Sequence, residues 1–166
     1  MSLESNILRD TFGCFTTGVC VVTVLAKSEG DKPRGITVNS FSSVSLDPPL
    51  LLWSLQNNSA SYQYFAGCEK FAVNILSRDQ QALSEYYARR SGEEGMLPEH
   101  YHRGKEGLPL INGAIAAFEC HLETTYEAGD HQILIGRIKQ VYTATDEPPL
   151  LFYRGAYHSL GEQTQR

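Results

Sequence analysis

Hydroxyl and amide side chains are concentrated in residues 35–45, which read Gly-Ile-Thr-Val-Asn-Ser-Phe-Ser-Ser-Val-Ser. In an extended strand alternate side chains point to opposite faces, so one face carries Thr37, Asn39 and Phe41. Gly35 has no side chain and lets a ligand approach the backbone closely. Such a neutral surface suits a phosphate group or the polar edge of a ring. A half-exposed strand with its hydroxyls in solvent explains the same residues, so the pattern leaves both interpretations open.

A second polar cluster spans residues 54–61, Ser-Leu-Gln-Asn-Asn-Ser-Ala-Ser. It lies where a strand is predicted to end and a helix to begin, and free N–H groups at a helix start can hold a phosphate. Capping of that helix by Ser59 or Ser61 explains the same residues.

His131 follows the dipeptide Gly129-Asp130, which matches a two-residue hairpin loop with glycine first. An imidazole at the mouth of a strand can dock a nucleotide or relay a proton, although a single loop histidine is more commonly just solvated. A metal site is not expected. Glu99, His100 and His102 lie close together but without a further ligand nearby in the sequence.

The composition is that of one ordinary globular domain, residues 1–166 with a core over about 8–158. Fourteen Lys and Arg against 19 Asp and Glu give a net charge of −5, which argues against nucleic-acid binding through phosphates. No signal sequence and no apolar run long enough for a membrane span is present, so a cytoplasmic protein is expected. Among the four cysteines, Cys20 and Cys120 lie in apolar patterns and are predicted to be buried free thiols.

The periodicity predicts a mainly β protein with a few peripheral helices. Short helices are expected at residues 3–11, 61–66 and 81–90, the last preceded by a capping box of Ser77 and Gln80. Residues 91–113 are predicted to form a long loop of functional or lid-like character. About seven strands are expected, at residues 19–26, 34–46, 50–55, 71–76, 115–126, 131–145 and 150–153. Their short connections favour an antiparallel barrel, although propensity alone does not separate a barrel from a sandwich.

Several of these segments together resemble one known family. The segments are Phe15–Thr23, Gly35–Leu50, Phe71–Leu76 with Gln80 and Leu83-Ser84, Gly129–His131 and Pro149–Gly155. They occur in the order and register of the short-chain flavin reductases, which have a split β-barrel, the Greek-key-like FMN-binding split barrel. The resemblance covers residues 5–160, nearly the whole chain.

The resemblance implies a homodimeric oxidoreductase that uses NADH or NADPH to reduce FMN or FAD. The reduced flavin then diffuses to a separate monooxygenase component. Flavin contacts are implied at Gly35, Ile36, Thr37, Val38, Asn39, Ser40, Phe41, Ser54, Leu55, Gln56, Ala60 and Ser61. The nicotinamide site is implied at His131, which is also the candidate catalytic residue, and at Phe152, Tyr153 and Arg154.

Hydride transfer agrees with this set of residues, because the two nucleotides carry the reactivity and the protein needs few acids or bases. No Lys or Arg falls between Arg34 and Lys70, so phosphate is expected to be held by hydroxyls and backbone N–H groups. Two alternatives stay open: a split-barrel oxidase that keeps FMN tightly bound, and a non-enzymatic flavin-binding module. The choices of FMN or FAD and of NADH or NADPH also stay open.

Overall fold

A computed structural model describes residues 4–89, 95–143 and 146–161. Its centre is an antiparallel seven-stranded sheet. The strands are β2 (Cys20–Ala26), β3 (Lys32–Val38), β4 (Ser42–Leu46), β5 (Pro49–Gln56), β6 (Lys70–Ile75), β9 (Ala116–Ala128) and β10 (His131–Thr143). Their order across the sheet is β3-β2-β6-β9-β10-β5-β4. The prediction of a mainly β protein is confirmed.

Strand β2 shows why the sheet is buried on both faces. Cys20, Val22 and Val24 point into the barrel interior, where they pack in one cluster with Trp53. Val21 points to the outer face and packs in a second cluster under a helix. A strand covered on both sides reads as a continuous apolar run, which is what residues 19–26 present.

The predicted strand over residues 34–46 is wrong in one respect, because the chain leaves the sheet at residues 39–41. β3 and β4 lie at opposite ends of the strand order, so these residues must cross from one sheet edge to the other. Ser40 holds the crossing: its Oγ accepts a bond from the Ser54 N–H at 2.9 Å and donates one to the Ser54 carbonyl at 3.2 Å. The curled sheet therefore brings its two edges together.

In the described part of the chain, three α-helices flank the barrel: α1 (Ser5–Phe12), α2 (Tyr62–Phe65) and α3 (Gln81–Arg89). They confirm the three predicted helices within a few residues. Residue 3 of the first prediction and residue 90 of the last lie outside the described residues. The capping box of Ser77 and Gln80 is present, with the Ser77 N–H donating to Gln80 Oε1 at 3.0 Å.

The predicted long loop is wrong for residues 98–111, and residues 91–94 lie outside the described part. A 3₁₀ turn (Pro98–His100) leads into a hairpin of β7 (Tyr101–Arg103) and β8 (Pro109–Ile111). Buried side chains of the barrel order this segment. Asn74 accepts the Ile111 N–H at 2.9 Å, and the Glu119 carboxylate accepts the Leu108 N–H at 3.1 Å. Because these hydrogen bonds come from residues distant in the sequence, the segment itself shows no alternation of apolar and polar residues that would predict its strands.

A small second sheet joins β1 (Thr17–Gly18), β11 (Leu151–Tyr153) and β12 (Ala156–His158). The sequence predicts only β11 of these three, because strands of two or three residues are too short to show an alternation of apolar and polar residues. The predicted strand over 131–145 ends at Thr143, and residues 144 and 145 lie outside the described part.

The four cysteines are free thiols, and Cys20 and Cys120 are buried as predicted. Burial raises the pKa of both thiols to about 12, so both are protonated at neutral pH. Among the described residues, no helix is long and apolar enough to cross a membrane.

Candidate active site

A cavity of about 970 Å³ opens between α1, the small sheet and the end of β3. Three predicted site residues from two distant parts of the sequence meet there: Asn39, and Phe152 with Arg154. Thr17, which is paired with Phe152 across β1 and β11, lies in the same wall. The cavity therefore combines an amide, a hydroxyl, an aromatic ring and a cation.

The hydroxyl of Thr17 marks this wall as a place for a polar ligand. Its Oγ1 is buried and has no hydrogen-bond partner among the described residues. A buried polar atom without a partner is unfavourable, so a ligand that donates or accepts there is accommodated well. Together with the Asn39 amide and the Phe152 ring, it fits a flat ring with a polar edge, as in a flavin or a nicotinamide.

Arg154 reaches the cavity from the turn between β11 and β12. Its backbone φ is 47°, in the left-handed region, and Gly155 follows at 78°, so β11 turns into β12 over two residues. Its N–H donates to the Gly13 carbonyl at 2.9 Å and its Nη2 lies 3.3 Å from the Cys14 sulfur. Positive φ at both residues is the conformation that a tight two-residue hairpin turn requires.

Gly35 and Thr37 of β3 face α3. A Cβ added at Gly35 would lie 3.1 Å from the Tyr87 ring, so glycine here permits close packing of the helix. The Thr37 hydroxyl donates to the Ser84 carbonyl of α3 at 2.7 Å. The close approach that the sequence suggested at Gly35 is thus made by a tyrosine of the same chain.

Four of the other predicted residues belong to the barrel interior. Leu55 is fully buried in its core, and Ile36 and Val38 pack against that core. Phe41 stacks on Phe118 with ring centres 6.1 Å apart. Packing in the barrel interior therefore accounts for the apolar side chains at these four positions.

Ser61 lies just before α2, next to the exposed Ala60. The Ser61 hydroxyl does not cap α2, and its Oγ is buried without a hydrogen-bond partner among the described residues. The Ser59 hydroxyl, the other candidate cap, accepts the Ser61 N–H at 3.2 Å just before α2. Ser54 and Gln56 lie on β5, and Gln56 is paired in register with His131 of β10. Two parts of the predicted site, residues 54–61 and His131, therefore share one end of the barrel.

His131 begins β10 directly after the turn at Gly129, whose φ of 64° fits the predicted glycine-first hairpin. Its Nδ1 lies 2.7 Å from the Asp130 carboxylate. This hydrogen bond lowers the pKa of Asp130 below its usual value, so Asp130 is charged at neutral pH. His131 is not among the described residues that line the 970 Å³ cavity.

Tyr153 completes the predicted set. It packs edge-on against His158 of β12, with ring centres 5.8 Å apart, beneath the Arg154 guanidinium. The cavity also contains residues that the sequence interpretation missed, among them Arg9, Phe12, Cys14 and Phe15. Arg9 and Phe12 lie on the short surface helix α1, whose residue pattern does not distinguish it from other surface helices. Phe15 belongs to a segment that carries the family resemblance, but that resemblance implies no contact for it.

The Flavin reductase like domain model matches residues 12–161 of this chain. The FMN reductase (NADH) SmoA of Agrobacterium fabrum is 41% identical over 160 residues, covering 96% of this chain and 88% of SmoA. The reductase component of the flavin-dependent trigonelline monooxygenase of Acinetobacter baylyi is 44% identical over 150 residues. That match covers 90% of this chain but only 47% of the relative, so the chain spans about half of it.

Among solved structures, the Streptomyces globisporus NADH:FAD oxidoreductase SgcE6, in complex with NAD and FAD fragments, superimposes with a TM-score of 0.86. It shares 33% sequence identity, and the match covers 99% of each chain. The predicted split β-barrel is confirmed by this likeness. On sequence, fold and the residues gathered at the cavity, the chain belongs to the family of flavin reductase-like domains.

Proposed function

We propose that this chain is an NAD(P)H:flavin oxidoreductase that reduces FMN or FAD and supplies the reduced flavin to a separate monooxygenase. One observation carries the proposal: Asn39 from the end of β3 and Phe152 and Arg154 from the β11–β12 hairpin line one cavity. The names of relatives support it, since they include an NADH-dependent FMN reductase and a monooxygenase reductase component.

When bound, the nicotinamide supplies the hydride and the flavin accepts it. The chain's own residues then have to hold two flat rings in contact and exclude water. Phe152 offers a ring face for stacking, and the Asn39 amide offers a donor to a polar ring edge that gains negative charge. Arg154 and Arg9 offer cations to the phosphates, in addition to the hydroxyls and backbone N–H groups expected from residues 35–61.

Other predicted residues would bind the nucleotides at one end of the barrel. Ser54, Gln56, Ala60 and Ser61 would contact the flavin at the far end of β5, where the buried Ser61 Oγ lacks a partner among the described residues. His131 would contact the nicotinamide, oriented by Asp130. Both groups lie at one end of the barrel because Gln56 and His131 are paired.

The direct test mixes the purified chain with NADH or NADPH and with FMN or FAD, and follows the nicotinamide absorbance. We expect nicotinamide oxidation that depends on added flavin. No oxidation with any of the four pairs would refute the proposal. A protein that purifies yellow and keeps its FMN would favour the oxidase alternative, and flavin binding without oxidation would favour the binding module.

We also propose a homodimer. No residue of α1 is buried, and its neighbourhood exposes Ile7, Phe12 at 72% and Phe15 at 78%. Large apolar side chains grouped in this way are typical of a protein–protein interface. Because these residues line the open cavity, a second copy placed there would also enclose the nucleotides.

The single-domain organisation of residues 1–166 and a cytoplasmic location remain proposals as well. The seven-stranded sheet draws on residues from 20 to 143, which supports one domain. The free state of all four cysteines supports a reducing compartment. Trypsin digestion of the native protein tests the first, since one domain should resist internal cleavage.

A further inference from the structure

A hydrogen bond between two hydroxyl groups links α3 to the small sheet. The Ser84 Oγ and the Tyr157 OH are 2.8 Å apart. Ser84 is completely buried, and Tyr157 lies on β12, directly opposite Phe152 of β11. The two residues are 73 positions apart in the sequence, so the bond fixes the β11–β12 hairpin against the helix.

The same serine also contacts the other wall of the cavity. Its backbone carbonyl accepts the Thr37 hydroxyl of β3 at 2.7 Å. Two residues after Thr37, Asn39 lines the cavity. Ser84 is therefore bonded both to the strand that leads to Asn39 and to the hairpin that carries Phe152.

The Tyr157 ring packs directly against the Phe152 ring, so the position of Tyr157 fixes that of Phe152. The two rings meet edge to face, with centres 5.4 Å apart and planes at 67°. Both rings pack against the apolar cluster under α3, and Phe152 reaches the cavity from there. A shift of the Tyr157 ring would therefore move the Phe152 ring relative to Asn39.

We propose that Ser84 and Tyr157 are positioning residues for hydride transfer, which set the distance between the Phe152 wall and the Asn39 wall of the cavity. Neither residue lines the cavity itself. The inference rests on the proposed reductase function, in which two stacked rings occupy this space. Because rates of stacked reactants depend steeply on separation, a small displacement of one wall lowers the rate.

The test compares Tyr157→Phe, Ser84→Ala and the double variant in steady-state nicotinamide oxidation at saturating flavin. Each single variant should lower kcat/KM for the nicotinamide by roughly 3- to 10-fold, the range expected for one lost hydrogen bond. The flavin dissociation constant should stay within about twofold. The double variant should be no worse than the worse single variant, because both remove the same bond.

Two matched controls separate positioning from general damage. Tyr126→Phe alters an exposed tyrosine of β9, and Ser28→Ala alters an exposed serine after β2. Both should keep the wild-type kcat/KM. A melting temperature that falls in Tyr157→Phe with kcat/KM unchanged relative to Tyr126→Phe would overturn the inference and leave a purely structural bond.

The outcomes also separate this inference from the function on which it rests. Wild-type protein that fails to oxidise nicotinamide with any flavin refutes both. Active wild type with unaltered Tyr157→Phe refutes the positioning role alone. If Ser84→Ala does not fold, Tyr157→Phe alone still tests the positioning role. It removes only one hydroxyl group, and the ring that carries it is half-buried.

Discussion

The Asp130 carboxylate lies 2.7 Å from Nδ1 of His131, so the turn between β9 and β10 holds an acid and an imidazole in direct contact. We predict that His131→Ala raises the KM for the nicotinamide by roughly 3- to 10-fold, the loss expected for one polar contact. Flavin affinity, measured by titration, should change by less than about twofold. Asp130→Asn should have a smaller effect in the same direction, because the imidazole loses its charged partner but stays in place.

The matched control for this site is His102→Ala, which removes an exposed histidine of β7 bonded to Asn112. It should leave both constants unchanged. An unaltered nicotinamide KM in His131→Ala would return His131 to the role of a solvated turn residue.

Asn39 tests the flavin side of the cavity. Asn39→Ala should weaken flavin binding by roughly 3- to 10-fold, since it removes one hydrogen-bonding amide from the lining. Asn39→Asp should weaken it further, because a carboxylate repels the phosphate and the anionic reduced ring. Quenching of flavin fluorescence measures both. Normal affinity in both variants would mean that the end of β3 has only a structural role.

The strands that the sequence predicts correctly are those in which buried apolar residues recur along the strand. β2, β5, β6, β9 and β10 each show their apolar pattern in the residues themselves. The break at residues 39–41 was missed because alternation continues across it. It results from the curl of the whole sheet, which places β3 and β4 at opposite ends of the strand order.

The site residues also divide into those that the sequence predicts and those that only the packing reveals. Motif resemblance identified Asn39, Phe152 and Arg154, which the fold brings to one cavity. It did not identify Arg9 or the Ser84–Tyr157 bond, because both depend on where α1 and α3 pack. Such packing is decided by contacts between residues far apart in the sequence.

The exposed aromatic residues beside α1 give a test of the dimer. Phe12→Ser and Phe15→Ser together should convert the protein to a monomer in light scattering. Burying one phenylalanine contributes about 1.5–3 kcal/mol, so losing two weakens association by roughly 100-fold or more. Val141→Ser, which alters another exposed apolar residue on β10, is the control and should leave the dimer intact. Wild-type protein that is itself monomeric would exclude this interface.

Gly136 of β10 is a test of the barrel core. A Cβ added there would lie 2.5 Å from Cζ of Phe71 and 2.9 Å from Cβ of Cys120, and neither neighbour has free space. Gly136→Ala should therefore lower the free energy of unfolding by about 1–3 kcal/mol in urea denaturation. Gly18→Ala is the control, because nothing lies within 4 Å of its added Cβ. Equal stabilities of the two variants would contradict the packing described for β10.

Glu106 couples the stability of the barrel to pH. Its carboxylate accepts hydrogen bonds from Lys70 Nζ at 2.9 Å and from His121 Nε2 at 2.9 Å. The Lys70 bond first, and then the His121 bond, lower the pKa of Glu106 from 4.5 to about 2. A carboxyl whose pKa is depressed on folding stabilises the native state above its unfolded pKa, and that contribution is lost as the pH falls through the folded value.

We therefore expect the melting temperature of the wild type to fall more steeply than that of Glu106→Gln as the pH decreases from 4.5 towards 2. The two curves should differ most near neutral pH, where Glu106 is fully charged, and converge in acid, where the wild-type carboxyl is protonated and resembles the amide. Glu127→Gln, at an exposed position of β9, is the control and should follow the wild-type curve. Curves for wild type and Glu106→Gln that coincide across this range would show that the Lys70–Glu106–His121 contacts contribute nothing to stability.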